Sequence, residues 1–243
     1  MSEASMKKRT YRAVNNHFAR QTTKGRLLDA PCGRGILSKQ LNDLGFDVVS
    51  LDIASSVIEE KNLNFIESDL NARLPFEDKT IDYIACVEGI EHLENPFHTV
   101  REFRRIIKED GLLVITTPNI QNMGSRFRFL MTGGFNYFRR PYYRGYTGHG
   151  LYGHINPISF YEMIFLLHDN RFRIEKVFTD APRLGSLLFI CLWPFISLST
   201  LYFVCLREKN NDQKKVNLRL FKYMSSMSLI FGRIMMVAAR ACR

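Results

Sequence analysis

The chain alternates short apolar stretches with amphipathic ones over residues 25–180, and this alternation restricts the folds open to it. Six stretches are rich in Val, Ile and Leu and have the length of strands: GRLLDAPC, FDVVSLDI, NLNFIESD, IDYIACVEG, LLVITTPN and FRIEKVFTD. Helical spacing marks the segments ILSKQLNDLG, NPFHTVREFRRIIKEDG and SFYEMIFLLHDN. Buried strands that alternate with helices predict an α/β fold with a doubly wound, mostly parallel sheet.

Two of the helices carry terminal signals. Asn95 is a suitable N-cap and Pro96 a suitable first residue for the helix that we expect to end before Gly111. Ser159 and Glu162 have the spacing of a capping box at the start of SFYEMIFLLHDN. These signals predict where the helices begin and end.

Acidic and glycine residues follow three successive predicted strands. The first strand leads into DAPCGRG, which contains Asp29, Gly33 and Gly35, and the next two end in Asp52 and Asp69. In open parallel sheets ligands bind outside the carboxyl ends of the strands. Glycines allow a close approach of the backbone to a ligand, and a carboxylate after the second strand can accept both hydroxyls of a ribose. The pattern predicts a site for a nucleoside-containing ligand.

These segments together resemble the class I S-adenosylmethionine-dependent methyltransferases. The resemblance covers roughly residues 20–180 and is carried by LLDAPCGRG, LDI, ESDL, IDYIACVEGIEHLENP and LLVITTPN. Within this family, the chain is similar to the branch that includes ubiquinone-pathway O-methyltransferases and methyltransferases of bacterial surface-polysaccharide clusters. The chain departs from the usual glycine-rich pattern at Pro31, which removes one backbone N–H donor.

The resemblance implies a Rossmann-like sheet of seven strands whose last strand is antiparallel, and GRIMMVAARA reads as that strand. It also implies S-adenosylmethionine as the cofactor. Asp29 and the Gly33–Gly35 turn are then expected at the methionine moiety, which Glu88 also faces. The eight implied cofactor residues are Asp29, Gly33, Gly35, Asp52, Ile53, Asp69, Leu70 and Glu88, with the second-strand acid at the ribose and the Asp69–Leu70 pair at the adenine edge.

Histidines are the candidates for the catalytic base. Transfer of a methyl group to a hydroxyl requires removal of the hydroxyl proton. His154 is the first candidate, His92 the second and His149 the third, because two of them lie in the long loop from Gly133 to Pro157. Long loops at this edge of a sheet commonly form substrate sites or lids. A structural role for His154, fixing the loop by a hydrogen bond, remains an alternative.

Other function classes fit the sequence less well. The glycine spacing lacks the G-x-G-x-x-G fingerprint of dinucleotide-binding oxidoreductases, and no nucleophile elbow is present. A nucleic-acid methyltransferase is a rival because arginines interleave with aromatic residues in SRFRFL and NYFRRPYYRGY. The stretch CVEGIEHL, however, lacks the Asp/Asn-Pro-Pro-aromatic pattern typical of enzymes that methylate base amines. A methyltransferase-like protein that only binds its ligand is a further alternative.

A run of 23 residues without a charge, from Leu184 to Leu206, follows the sixth predicted strand. It is long enough to span a bilayer, but both the strand before it and the final strand must join one sheet. Pro194 interrupts the run, and ten of the chain's Lys and Arg residues lie from Arg183 onward against Glu208 and Asp212. We therefore expect a kinked, re-entrant or interfacial hairpin on an anionic membrane surface. A buried helix over the sheet and a two-pass hairpin are the alternatives.

The resulting hypothesis has three segments: a methyltransferase core over residues 1–183, a membrane-docking helical insertion over 184–231, and the final strand and tail over 232–243. The five cysteines show no zinc spacing, and the first residues lack the apolar region of a secretory signal. These features predict no metal and attachment to the cytoplasmic face of a membrane. The expected reaction is O-methylation of a membrane-linked acceptor such as a lipid-linked saccharide, with a prenylated quinone-type ring as the alternative.

Overall fold

A single seven-stranded sheet forms the centre of the protein. The computed structural model describes residues 3–138 and 153–243, with side chains from Lys7 onward. The strands are β1 Arg26–Asp29, β2 Asp47–Asp52, β3 Asn64–Glu67, β4 Ile81–Val87, β5 Ile107–Pro118, β6 Phe172–Phe178 and β7 Ile234–Ala241. Their order is β3-β2-β1-β4-β5-β7-β6, and only β7 runs antiparallel to its neighbours. The predicted fold class is confirmed, including the antiparallel last strand.

Helices cover both faces of the sheet. The α-helices are α1 Glu3–Ala19, α2 Ile36–Asp43, α3 Pro96–Ile106, α4 Met123–Thr132, α5 Phe160–Asp169, α6 Leu184–Leu187, α7 Trp193–Leu201, α8 Asn211–Met224 and α9 Met227–Phe231. The core on one face brings Val100 and Phe103 of α3 and Met163 of α5 against the sheet. On the other face Phe18 of α1 and Leu41 of α2 pack against it.

The predicted helix caps form as expected at two N-termini. The side chain of Asn95 accepts a hydrogen bond from the His98 amide at 2.9 Å. The hydroxyl of Ser159 accepts one from the Glu162 amide at 3.1 Å. The C-terminus of α3 differs from the prediction because Ile107 is already extended and pairs with Ile81 of β4. The strand therefore begins five residues before LLVITTPN.

Two helices were absent from the sequence-based prediction. In α1, the side chains of Val14 and Phe18 are fully buried, a pattern that an amphipathic reading of residues 3–19 would have found. In α4, the N-cap Asn122 accepts from the Ser125 amide at 3.0 Å, and Gly133, with φ +68°, follows the last residue of the helix. The alternating Arg and Phe residues of SRFRF concealed this helix because alternation is a strand pattern.

Residues 184–231 form the helical insertion between β6 and β7. The uncharged run divides into α6, a 3₁₀ turn at Ile190–Leu192, α7 and a π-helical turn at Tyr202–Leu206. Since β6 is parallel to the first five strands and β7 is antiparallel, the insertion leaves and re-enters the sheet at the carboxyl edge of β1 to β5. In the part of the chain that the structure describes, no helix has both the length and the apolarity to cross a membrane.

Candidate active site

Asp29, at the end of β1, is the most deeply buried acid of the predicted cofactor site. Asp29 is buried, and its Oδ2 accepts a hydrogen bond from the Ser38 hydroxyl at 2.6 Å. The other oxygen, Oδ1, has no hydrogen-bond partner among the described residues. Burial raises the pKa of this carboxyl to about 7. A buried acceptor without a donor is the feature expected where a ligand supplies the donor.

Gly33 and Gly35 both adopt left-handed backbone conformations, with φ +52° and +82°. A Cβ on Gly35 would lie 2.4 Å from Cδ1 of Leu63, whereas the space at Gly33 is open. The open side of Gly33 leaves room for a ligand to approach the main chain. The ring of Pro31 packs against Gly89, and a Cβ on Gly89 would lie 2.2 Å from Cδ of Pro31. The missing side chain of Gly89 thus makes room for the proline that departs from the glycine-rich pattern.

The carboxylate of Asp52 is anchored by the main chain at the end of β2. Its Oδ2 accepts from the Gly33 amide at 2.8 Å, and its Oδ1 accepts from the Ile53 amide at 2.8 Å. Each carboxylate oxygen retains capacity for a further donor. The side chain of Ile53 is exposed beside it. This geometry fits two ribose hydroxyls, although the roles of Asp52 and Ile53 stay predictions.

Asp69 and Leu70 follow β3 at the same edge. The Oδ1 of Asp69 accepts from the amide and the side chain of Asn71, at 2.8 and 3.0 Å, and so helps to form a local turn. Leu70 is buried in the core, and its carbonyl accepts from the Thr99 hydroxyl at 2.8 Å. Any contact of Leu70 with an adenine must therefore come through its main chain. The adenine assignment remains a prediction.

Glu88 lies directly after β4 with a left-handed backbone, φ +50°, and its amide donates to the Thr116 hydroxyl at 2.9 Å. Tyr11 of α1 also belongs to this region. Burial raises the pKa of the Tyr11 phenol, and the nearby carboxylates of Asp29 and Glu88 raise it further. Tyr11 was missed because α1 was not predicted; its signal was an aromatic residue on the buried stripe of an N-terminal helix.

The two leading base candidates are brought together by the fold. The rings of His92 and His154 meet edge-to-face with centroids 4.8 Å apart, and His92 Nδ1 lies 2.9 Å from the Gly153 carbonyl. Burial lowers the pKa of His92, which favours the neutral imidazole that a general base requires. Phe138 packs against His154 with a centroid distance of 5.4 Å. The third candidate, His149, lies outside the described residues.

Glu91 completes this cluster and was not predicted. It is fully buried, and its Oε1 lies 3.9 Å from Nε2 of His154. Burial raises the pKa of Glu91 to about 8, with the nearby Glu88 adding to the shift. The amides of Ile155 and Asn156 both donate to the Glu91 carbonyl at 3.0 Å. These two hydrogen bonds hold the segment that contains His154 against the turn that follows β4. The sequence signal was the Glu-His pair in GIEHL.

The same cluster has the composition of a cation site. The ligand atoms of Glu91, His92 and His154 all lie within 4.8 Å of one another. Imidazole and carboxylate together suit several divalent transition metals. From the sequence we expected no metal, and that expectation stays a prediction.

The residues at the strand ends fit S-adenosylmethionine on the evidence of the structure itself. The unpaired buried oxygen of Asp29 suits the cationic methionine end, the open Gly33 turn admits a ligand, and Asp52 offers acceptors to a ribose. When bound, this group supplies an activated methyl on a sulfonium. The histidine cluster follows β4 at the same carboxyl edge.

Comparison with known proteins decides the family. The sequence model of the family described as "Methyltransferase domain" matches residues 3–158, well over half of the chain. The chain belongs to the class I S-adenosylmethionine-dependent methyltransferases. The resemblance drawn from the strand-end residues is thereby confirmed, and with it the cofactor class.

Curated relatives match over part of their length. A ubiquinone biosynthesis O-methyltransferase of Glaesserella parasuis is 33% identical over 107 residues, which cover 39% of this chain and 45% of that protein. One from Rickettsia akari is 30% identical over 115 residues, covering 44% and 45%. The match thus spans about half the length of these relatives.

Solved structures resemble the chain over most of its length. A SAM-dependent methyltransferase from Archaeoglobus fulgidus superposes with a TM-score of 0.58 at 19% identity, covering 95% of this chain and 94% of that one. At this identity the likeness establishes the fold.

Proposed function

We propose that this methyltransferase transfers the methyl group of S-adenosylmethionine to a hydroxyl of a membrane-linked acceptor, with a lipid-linked saccharide as the preferred acceptor class. The observation that carries the proposal is a large exposed apolar surface at the carboxyl edge of the sheet. Surfaces of this kind mark contacts with proteins or membranes. Attachment is then peripheral or monotopic, at the cytoplasmic face, with an anionic membrane surface as partner.

The apolar surface consists of ten large residues of the insertion and four of α4. Leu188 is 81% exposed and Phe195 is 70% exposed, values that do not fit a helix buried over the sheet. Phe127 of α4 packs on Phe189 with ring centroids 5.2 Å apart, so the two parts are continuous. The fourteen exposed residues are Phe127, Phe129, Leu130, Met131, Leu184, Leu188, Ile190, Leu192, Trp193, Phe195, Leu198, Tyr202, Phe203 and Leu206.

Exposed cations follow the apolar run along the chain, and the guanidinium of Arg207 lies over the Phe203 ring, 5.8 Å from its centroid. Arg207, Lys209, Lys215, Arg219 and Lys222 are exposed on α8 and on the segment before it. Cations near an anionic leaflet contribute about 1 kcal/mol each. Apolar residues that enter the leaflet and cations that contact headgroups together support interfacial docking.

The topology supports a link between docking and catalysis. The insertion begins and ends at the carboxyl edge of β1 to β5, the edge that also carries the predicted cofactor residues and the histidine cluster. Docking would therefore bring the cleft towards the lipid surface. An acceptor hydroxyl held on the line of the S–CH₃ bond would lose its proton to His154, or to His92 as the second candidate.

A prenylated quinone-type ring is the second candidate acceptor. Curated relatives at 30–33% identity are named for ubiquinone biosynthesis, and they favour it. The two acceptors are separated by comparing lipid and glycan extracts from cells with and without the protein. A mass gain of one CH₂ unit on a saccharide lipid supports the first proposal, and a gain on a quinone precursor supports the second.

Vesicle binding tests the docking step. Deletion of the insertion is a poor test because the buried Ser186 hydroxyl bonds Asn122 and the Gly124 amide at the start of α4. Leu188→Glu and Phe195→Glu are better since both side chains are exposed. We expect either change to reduce co-sedimentation with phosphatidylglycerol vesicles, while Val57→Glu, an exposed apolar position after β2, does not. A wild-type protein that stays wholly in the supernatant contradicts the proposal.

A further inference from the structure

The side chain of Glu91 lies fully buried on the 3₁₀ turn Ile90–His92 that follows β4. Neither of its carboxylate oxygens has a hydrogen-bond partner among the described residues. The Thr117 hydroxyl lies nearby but does not form a well-aligned hydrogen bond with them. No Lys or Arg in the part of the chain whose side chains are described forms an ion pair with this carboxylate. A carboxyl group in such surroundings takes up a proton or a positively charged partner.

Two imidazole rings lie beside Glu91 and supply further ligand atoms. The ligand atoms of Glu91, His92 and His154 all lie within 4.8 Å of one another. Oε1 of Glu91 lies 3.9 Å from Nε2 of His154, which is too far for a hydrogen bond between the two groups. In a tetrahedral site with bonds of about 2.0–2.2 Å, ligand atoms lie about 3.3–3.5 Å apart. Side-chain rotations that move these atoms by about 1 Å would therefore close the cluster around an ion.

The second ring nitrogen of His92 is held in the way that is common for metal-binding histidines. Nδ1 of His92 lies 2.9 Å from the carbonyl oxygen of Gly153. Since a carbonyl oxygen only accepts, Nδ1 carries the proton, and the lone pair of the neutral ring lies on Nε2. Metal-binding histidines usually donate their other ring N–H to a carbonyl or carboxylate, which fixes the tautomer and the orientation of the ring. His92 is therefore already in the form that a metal ligand requires.

The main chain brings the two halves of the cluster together. The amides of Ile155 and Asn156 donate to the Glu91 carbonyl at 3.0 Å. The side-chain amide of Asn156 also donates to the carbonyl of Leu93. These hydrogen bonds hold His154 next to the turn that carries the other two ligands. Binding of an ion then needs side-chain rotation but no large movement of the chain, and a site with this support is preorganised.

The donor set selects the class of ion. Two imidazole nitrogens and one carboxylate suit Zn²⁺ and similar divalent transition metals, whereas Mg²⁺ and Ca²⁺ prefer oxygen ligands. Three protein ligands of this kind leave a fourth position open, as in zinc sites with two histidines and one glutamate. The sequence-based expectation of no metal considered only close spacing of cysteines and histidines. The ligands here come from segments about sixty residues apart in sequence.

We infer that Glu91, His92 and His154 bind one divalent transition-metal ion, with Zn²⁺ as the representative, and that this ion takes the lone pair of the proposed base. The binding site itself rests only on the geometry of the cluster. Its effect on methyl transfer rests on the proposed function, because an imidazole nitrogen bound to a metal cannot accept the proton of an acceptor hydroxyl. The metal-bound protein is then a resting form, and release of the ion frees the base.

Metal binding is measured on the full chain without a histidine tag, with Zn²⁺ by calorimetry and with Co²⁺ by visible absorption. We expect one ion per chain at this cluster. Glu91→Gln and His154→Ala should each weaken Zn²⁺ binding at least about 100-fold, since even the partners of metal ligands contribute about 10–100-fold. The visible absorption of low-coordinate Co²⁺ should appear in the wild type and be lost in both variants.

Matched variants separate the loss of a ligand from general effects. Glu94→Gln removes an exposed carboxylate close to Glu91 in the chain, and His168→Ala removes an exposed imidazole on α5. Both should bind Zn²⁺ as the wild type does. Mg²⁺ at equal concentration should not displace Zn²⁺. The inference is overturned if the wild type binds no Zn²⁺, if Glu91→Gln and His154→Ala bind it as tightly as these controls, or if Mg²⁺ displaces it.

Binding of S-adenosylhomocysteine, followed in parallel, identifies a variant that has lost its fold. If Glu91→Gln fails this check, His154→Ala decides the test, because the side chain of His154 is 25% exposed and its removal is less disruptive.

The effect on catalysis is measured as transfer of labelled methyl from S-adenosylmethionine to a lipid extract. Stoichiometric Zn²⁺ should lower this transfer, and EDTA should restore it. A rise in transfer with Zn²⁺ overturns the inference that the ion takes the lone pair of the base. A protein that binds Zn²⁺ at the cluster but transfers no label in either state contradicts the proposed function while it supports the metal site.

Discussion

The predicted cofactor side and the proposed acceptor side of the cleft, called here the cofactor side and the acceptor side, are built in different ways. On the cofactor side, residues close in sequence or at adjacent strand ends fix one another: Asp52 accepts from Gly33 and Ile53, and Ser38 donates to Asp29. On the acceptor side, the contacts join segments about sixty residues apart, such as His92 with Gly153. Its outer surface is apolar and exposed. One side is therefore specified by local turns and the other by the packing of distant segments.

This difference leads us to expect that the specificity for the acceptor resides in the outer segments of the protein. On the cofactor side, a ligand of constant structure would meet the buried carboxylates of Asp29 and Asp52, which are fixed by the Ser38 hydroxyl and by the amides of Gly33 and Ile53. Under the proposed function, the acceptor would meet side chains on α4, on the residues before α5 and beside the insertion. Changes in these outer segments can alter the acceptor without disturbing the turn after β1.

The largest expected effect is on turnover. His154→Ala should lower the rate of methyl transfer by about 10²–10⁴, the usual contribution of a general base, and leave S-adenosylhomocysteine affinity nearly unchanged. His168→Ala, on the exposed face of α5, is the control. Full activity of His154→Ala would move the assignment of the base to His92 or to a mechanism without a base. Loss of cofactor affinity in this variant would show that His154 also supports the cofactor side.

The two sides should differ in their tolerance of glycine substitution. Gly35→Ala combines a left-handed backbone with a Cβ 2.4 Å from Leu63, whereas Gly133→Ala at the end of α4 meets only open space. Left-handed strain of about 1–2 kcal/mol is common to both changes, and at Gly35 the half-buried Leu63 side chain must also move away. Urea unfolding should show a larger loss of the free energy of unfolding for Gly35→Ala. Equal losses would mean that the turn after β1 is no tighter than the end of α4.

Removal of the carboxylate that is expected to accept hydrogen bonds from the ribose should weaken cofactor binding selectively. Asp52→Ala deletes a carboxylate that can accept two hydroxyls, and hydrogen bonds to charged groups are worth about 1.5–3 kcal/mol. We expect calorimetry to give an affinity for S-adenosylmethionine at least about tenfold lower. Asp47→Ala, at the exposed opposite end of β2, is the matched control. Unchanged affinity in Asp52→Ala would refute the strand-end assignment.

The smallest effect concerns pH. The pKa of Asp29 is about 7 in the protein without ligand because of burial, and a cationic ligand stabilises its ionised form. Affinity for S-adenosylmethionine should therefore rise as pH increases from 6 to 8, by up to about tenfold, and level off above that range. Asp29→Asn should lack this component. Identical pH profiles for the two proteins would show that Asp29 does not titrate in the binding reaction.

The sequence predicted which residues stand at the strand ends on the cofactor side because their positions depend on local signals; their roles toward the cofactor stay predictions. Asp29, Gly33, Asp52 and Asp69 each stand at the end of an apolar strand, and parallel strand ends meet at one edge. The cap at Asn95 was predictable from local residues, whereas the antiparallel final strand was expected from the resemblance to the family. The predicted end of α3 was wrong because Ile107 pairs with Ile81 of β4, so the helix ends before the signal at Gly111.

The acceptor side was only partly predictable because its contacts are long-range. His92 and His154 were identified as candidates, but their adjacency, and the burial of Glu91 beside them, depend on tertiary packing. The helix α4 has a clear Asn cap and a terminal glycine, yet its Arg-Phe alternation conceals them. The continuity between Phe127 and Phe189 could not be foreseen without that helix.

The position of β7 has a consequence for synthesis on the ribosome. This strand fills the gap between β5 and β6, yet it comes after the whole insertion in the chain. During translation β5 and β6 emerge before β7, so neither is paired with β7 when the apolar surface of α7 leaves the exit tunnel. A nascent chain at that stage exposes both strand edges, which are prone to unwanted pairing, and an adhesive apolar surface. Early contact of the insertion with a membrane would shield part of this nascent chain until β7 completes the sheet.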